Sequence, residues 1–333
     1  TGFNLTSSNA DTNGNGENYI YIAIRFPDGL VGKPAEAGTE VFSMDAGSTN
    51  TPAFDSSFPV DFWLGKQPAS GTNWQLSARL TQGTTLNTNT TDTEASATKY
   101  AFDYSDGALA QPFSTAWQGW MWKRGQGFDV VTYVAGSGSS QVINHSLGRV
   151  PDMMWVRRRA GAYGGNWYVY HKDIGNTRRL YLEKTDGQST ESINNWNNTS
   201  PTVTSFSVGS NMLDPGNGEN YITMLFASVD GISQVGSYDG TGNTNHVITT
   251  GFQPRFLLMK RSDSGSDWWM FDSTRGIGGS NNCMLQPNTT AVQDCSGTAN
   301  GIDVSSTSFT LGNGTDSTWF NDSSGKYIYY AHA

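Results

Sequence analysis

The chain repeats itself about every hundred residues, and any fold it adopts has to honour that repeat. Gly14-Asn15-Gly16-Glu17-Asn18-Tyr19-Ile20 returns unchanged from Gly216 to Ile222. Looser copies are Gln118-Gly119-Trp120-Met121-Trp122 and Ser324-Gly325-Lys326-Tyr327-Ile328-Tyr329-Tyr330. The leading aromatics Tyr19, Trp120, Tyr221 and Tyr327 stand 101, 101 and 106 residues apart. Fifteen to eighteen residues upstream lies a second marker: Ser205-Phe206-Ser207-Val208-Gly209, Ser308-Phe309-Thr310-Leu311-Gly312 and the weaker Gly2-Phe3-Asn4-Leu5.

A third marker is a proline, an apolar run, a basic or polar turn and a tryptophan. It runs from Pro59 to Trp74, Pro151 to Trp167 and Pro254 to Trp268, with gaps of 15, 16 and 14. The copies also open alike, with Gly127-Phe128-Asp129-Val130-Val131 and Gly231-Ile232-Ser233-Gln234-Val235, and with Gly38-Thr39-Glu40-Val41-Phe42 as the divergent version. Modules therefore span 34–126, 127–228 and 229–333. Residues 1–33 correspond to the last strands of a preceding copy. Two strands do not close a core, so they are expected to belong to a module begun upstream, or to complete one in a neighbouring subunit.

Within a module the apolar runs are four to eight residues long, rich in β-branched and aromatic side chains and separated by turn residues, which is the pattern of strands. Tyr19-Ile20-Tyr21-Ile22-Ala23-Ile24 is apolar throughout, as a strand buried on both faces must be. Proline at a strand start costs no ladder hydrogen bond. Only residues 92–100 offer a short helix. The expected fold is all-β: tandem antiparallel sandwiches, jelly-roll-like or immunoglobulin-like, stacked end to end. Trp74, Trp167 and Trp268 are the expected pins of each sandwich. Tyr19, Trp120, Tyr221 and Tyr327 are expected on core-facing strands, and Tyr163, Trp196 and Trp319 in loops, as candidate binding aromatics.

Chemistry is harder to find. With net charge −9 and 20 Lys and Arg scattered along the chain, no basic stripe offers itself to phosphates, so nucleic acid is not an expected partner. The cluster Arg157, Arg158, Arg159 with Arg178 and Arg179 reads as edge or interface ion pairs, since strand neighbours alternate faces. No apolar run is long enough for a membrane helix. Cys283 and Cys295 lack zinc spacing and are either a local disulfide or two thiols. The four histidines lie in unrelated segments, and no nucleophile, phosphate-loop or dinucleotide motif occurs. Carboxylates such as Asp103 and Asp106 occur in every loop, and no Asp/Glu pair stands out as the two carboxylates of a glycoside hydrolase. Asp11, Asn13 and Asn15 match the first half of a calcium loop, but the twelfth position is Ile22, so a polar turn is preferred. No catalytic residue, cofactor or metal is expected.

Gly127-Phe128-Asp129-Val130-Val131-Thr132-Tyr133, Asn144-His145-Ser146-Leu147-Gly148-Arg149-Val150-Pro151-Asp152 and Asn166-Trp167-Tyr168-Val169-Tyr170-His171 resemble a repeated β-sandwich domain of unknown function in tail-fibre or appendage proteins of marine and cyanobacterial phages. So does Gly251-Phe252-Gln253-Pro254-Arg255-Phe256, continuing to Trp268 and Arg275. The resemblance covers 127–333 well and 34–126 poorly. It implies a non-enzymatic structural or adhesive protein on the surface of a virion, a homo-oligomer with a trimer favoured. Its partners would be other virion proteins and a host-surface glycan or protein. A capsid decoration protein, a free-standing lectin-like module and a glycan depolymerase are the alternatives.

Overall fold

The computed structural model describes residues 14–16, 18–19, 34–159, 165–189, 194–212, 218–279, 282–295, 301–312 and 317–333. Thr1–Pro34 and Ala35–Ala333 are separate units. In the first, most of the expected strand pair lies outside the described residues. Tyr19, expected in a core, is instead 40% exposed. Its hydroxyl accepts the Gly14 N–H at 2.6 Å, which ties the ring to a turn at the surface.

Ala35–Ala333 is all-β, antiparallel and sandwich-like, and one strand order occurs in it three times. In the first main sheet an opening strand, Phe42–Ala46, pairs with the closing strand Gln118–Trp122, then the proline strand Phe62–Lys66, the tryptophan strand Gln75–Ala78 and the leucine strand Thr84–Asn87, with Ala95–Ser96 at the edge. The second runs Phe128–Val134, Asn220–Phe226, Met153–Arg158, Tyr168–His171, Leu180–Tyr181. The third runs Ser233–Asp239, Lys326–His332, Phe256–Arg261, Trp268–Asp272, with Leu285 bridged to Met270 in the fifth place. No helix forms at 92–100. Ala95 and Ser96 pair with Thr85 and Thr84, because a neighbouring strand edge satisfies their backbone groups. The one described α-helix is Ser317–Asn321.

Each main sheet is covered on both faces. Outside, a small second sheet completes a sandwich: Phe54–Asp55 with Gly107–Ala108, Ser140–Asn144 with Ser205–Gly209, and His246–Thr249 with Ser308–Leu311 and Ile302–Val304. Tyr221 and Tyr327 lie in these outer cores. In module one, Gly65 and Gly119 are opposed across neighbouring strands, and the Trp63 ring fills the space a Cβ on either would need. Inside, alternate residues of all three sheets meet in a single core, including Phe62, Leu64 and Trp120 from module one, Trp155 and Phe226 from module two, and Phe256, Leu258 and Tyr330 from module three. Burial on both faces explains closing strands that are apolar at almost every position.

The modules therefore do not stack end to end. Trp74, Trp167 and Trp268 are buried, but in the shared core rather than in each sandwich, and they pin modules to one another. Trp74 Nε1 donates to the Gln286 carbonyl of module three at 2.9 Å. Trp268 Nε1 donates to Tyr181 of module two at 2.8 Å, and Trp167 Nε1 to Asn87 of module one at 2.8 Å. In each case the acceptor follows the leucine of the leucine strand: Leu285, Leu180 and Leu86. One heterologous joint is used three times and the cycle closes, as a ring requires. The backbone N–H of each tryptophan is held within its own module, at 3.0 Å, by Asn89, Glu183 or Asn288, each two residues past the acceptor of its own module.

A buried cation repeats the cycle. Lys66, Arg157 and Lys260 occupy one register position on the proline strands, and all are 0% exposed. Lys66 Nζ donates to Thr72 in its own module and to the Thr290 carbonyl of module three at 3.1 Å. Lys260 Nζ donates to Ser266 in its own module and to the Thr185 carbonyl of module two at 2.9 Å. Arg157 donates to the Asp92 carbonyl of module one and lies over the Trp167 ring. Two residues on, Arg159 pairs with Glu94 of module one through bonds of 2.9 and 3.1 Å. The arginine cluster is thus partly an interface, with Arg157 and Arg159 both reaching module one, as strand alternation demands.

Two outcomes follow. Trp167→Phe keeps the ring but removes the joint hydrogen bond and should cost about 1–2 kcal/mol. Trp167→Ala should cost about 3–5 kcal/mol. Urea denaturation of both variants decides this, and a Trp167→Phe chain as stable as the parent would mean that the hydrogen bond contributes nothing. The second concerns acid. His332 is 3% exposed, with its ring 4.6 Å from Phe42 of module one, and burial holds its imidazole down to about 4. The unfolded chain titrates near 6.5, so between those values only the unfolded state takes the proton. This contribution is complete above pH 6.5 and shrinks as pH falls towards 4, by on the order of 3 kcal/mol. His171 is held down by the same cause and acts in the same direction. Melting followed from pH 7 to 4.5 should show the loss, and His332→Phe should flatten the curve.

Candidate functional site

The sequence candidates scatter in the structure. Trp196 is 1% exposed and belongs to the outer core of module two, its Nε1 donating to the Arg178 carbonyl at 2.8 Å. It is a core residue, because the turn that carries it folds back under Tyr170, whose ring lies 5.5 Å away. Tyr163 lies outside the described residues, as do Asp11 and Asn13 of the calcium-like turn. Asn15 is exposed, and no group of three metal-ligating side chains occurs among the described residues. Cys283 and Cys295 form a disulfide.

Of the two loop aromatics among the described residues, Trp319 reaches an open site. It stands on the short helix Ser317–Asn321 and stacks on Trp269, with centroids 4.7 Å apart and ring planes 6° from parallel. Both rings line a groove of about 460 Å³ in module three, together with Asp267, Gln286, Ala291 and Asp294. The strand period explains the position of Trp269: Trp268 points into the shared core, so its neighbour points outward.

Polar groups in the groove are ordered by a short network. Asp267 accepts from Asn288 Nδ2 at 2.7 Å and from Gln286 Nε2 at 3.2 Å. The wall is the segment 283–295, tied at its base by the disulfide and by paired backbone bonds between Met284 and Asp294 of 2.9 and 3.0 Å. Its outer part is anchored to module one, where Gln293 donates its N–H to Pro68 at 2.7 Å, Thr290 receives Lys66, and Gln286 receives Trp74. One segment thus forms a groove wall on one side and a ring joint on the other. Among the described residues that line the groove there is no Lys or Arg.

Sequence reasoning missed Trp269, Asp267, Gln286 and Asp294, along with the buried cations. The cations did carry a signal: a Lys or Arg six or seven residues after the marker proline in every module. The groove residues carried none, because they come together from three separate segments.

Fold and site define a class: antiparallel sandwich modules fused around one core, with an aromatic groove open on the third. Residues 122–333 match a family described as a domain of unknown function, DUF7483, and the chain belongs to that family. The match begins at Trp122, the last residue of the first closing strand, and takes in modules two and three. The comparison with curated proteins finds no match.

Reduction of the Cys283–Cys295 disulfide, whose cysteines are 12 residues apart, frees the wall 283–295. Loop-closure entropy places its worth at about 2–3 kcal/mol. Cys283→Ser with Cys295→Ser should lower the melting temperature by several degrees and speed amide exchange in 282–295 while leaving module two unchanged. Uniform loosening of the whole chain would contradict this.

Proposed function

We propose that the chain is a non-enzymatic structural and adhesive component of a tailed-phage particle, displayed where the particle meets its host. The observation that carries the reading is the closed ring. Three modules locked by three copies of one joint over a single core form a body that holds its surface loops in fixed relation. Such a body suits a part that has to present a binding face and bear load, and a net charge of −9 keeps copies displayed side by side from associating. The resemblance of the 127–171 and 251–275 segments to phage appendage domains supports the same reading.

The ring also bears on assembly. The three joints that separate chains would share in a trimer are made here inside one polypeptide. Further copies would associate through other surfaces, and a threefold body needs no second chain. A second reading, a carbohydrate-binding module outside any particle, is favoured by the stacked tryptophans of the groove.

Antibodies raised against the purified chain should decorate tail appendages of the phage that encodes it in immunogold images and should block adsorption. Labelling of the head shell would favour a decoration protein instead. Particles that carry no label would overturn the proposal.

A further inference from the structure

The groove lies where the three modules differ although their strands agree. The residue after each joint tryptophan points away from the shared core. In module one it is Gln75, whose side-chain oxygen accepts the Tyr100 hydroxyl at 2.7 Å. In module two it is Tyr168, with the Arg179 guanidinium 5.6 Å from its ring centre and the Tyr181 ring at 5.7 Å. Both positions are occupied by the module's own side chains. In module three it is Trp269, and beside it the structure leaves about 460 Å³ open. Trp269 is 5% exposed, and its Nε1 is buried with no hydrogen-bond partner among the described residues.

We infer that this groove binds one or two rings of a neutral or amino-bearing glycan. The inference deepens the adhesive reading by naming the ligand class and the site. The half-buried Trp319 ring, backed by the parallel Trp269 ring stacked on it, offers the flat apolar surface on which the C–H face of a pyranose packs. Asp267 and Gln286 offer oxygen and amide groups at the rim for its hydroxyls. Asp267 uses two of its roughly four acceptor positions on Asn288 and Gln286, which leaves the others for ligand donors. The volume lies within the ~300–1,000 Å³ of small-ligand sites. Charge narrows the class: two carboxylates, with no cation among the described lining residues, repel uronates and sialic acids and accept neutral or ammonium-bearing sugars. Anchorage of the groove wall in the ring joint holds the site in shape before ligand arrives, which reduces the ordering cost of binding.

The test uses the full chain and a panel of immobilised oligosaccharides: neutral hexose, N-acetylhexosamine, deacetylated hexosamine, uronate and sialylated. Binding to at least one neutral or amino member and to neither acidic class is expected. Trp319→Ala should weaken that binding at least tenfold. Ala291→Trp, which fills the groove from an exposed rim position, should do the same and leave the melting temperature unchanged. The inference fails if no panel member binds, if an acidic class binds best, or if both variants bind like the parent chain. Failure here with labelled particles would leave the virion reading standing. Binding without labelled particles would leave the glycan site standing and remove the virion.

Discussion

The structure depends on three main sheets being buried on both faces at once. A sheet with one wet face needs only half its residues to be apolar. These sheets need nearly all of them, and their closing strands comply, from Tyr221 to Phe226 and Tyr327 to His332. No module could bury its inner face alone. That face carries Trp74, Trp167 or Trp268, and each of these indoles finds its acceptor only on a neighbouring module. The ring is therefore the smallest complete core, not an assembly of finished parts.

The buried cations sharpen the point. A charge taken out of water is costly unless other polar groups replace the solvent. Carbonyls of the next module supply part of that replacement for Lys66, Arg157 and Lys260. A module that slipped by one residue would place an ammonium or guanidinium against hydrocarbon. The cation thus specifies the register of the joint more than it strengthens it, and apolar contact among Phe42, Trp122, Phe226, Phe256 and Tyr330 supplies most of the attraction.

Use of one joint three times leaves the outer surfaces free to diverge. Module three has turned the position after its joint tryptophan into one side of a groove, while modules one and two have plugged the same place with Tyr100 and Arg179. Module one, outside the DUF7483 match, fills the third place in the ring through the same proline, lysine, tryptophan and leucine positions. These contacts repeat where the rest of the sequence has drifted, because they serve the joint.

Much of this was legible in the sequence. The short apolar runs, rich in β-branched and aromatic residues and parted by turn residues, set all-β architecture, and Pro59, Pro151 and Pro254 with the tryptophans that follow them lead into strands of one order in the three main sheets. What the sequence could not say is where those tryptophans point. A tryptophan buried inside its own sandwich and one buried against the next module have the same local pattern, since burial removes water equally in both cases. Only the tertiary structure separated them, turned an expected row of beads into a ring, and moved Trp196 into a core while leaving Trp319 beside Trp269. Local pattern records how much of a residue is buried, and long-range packing decides against what.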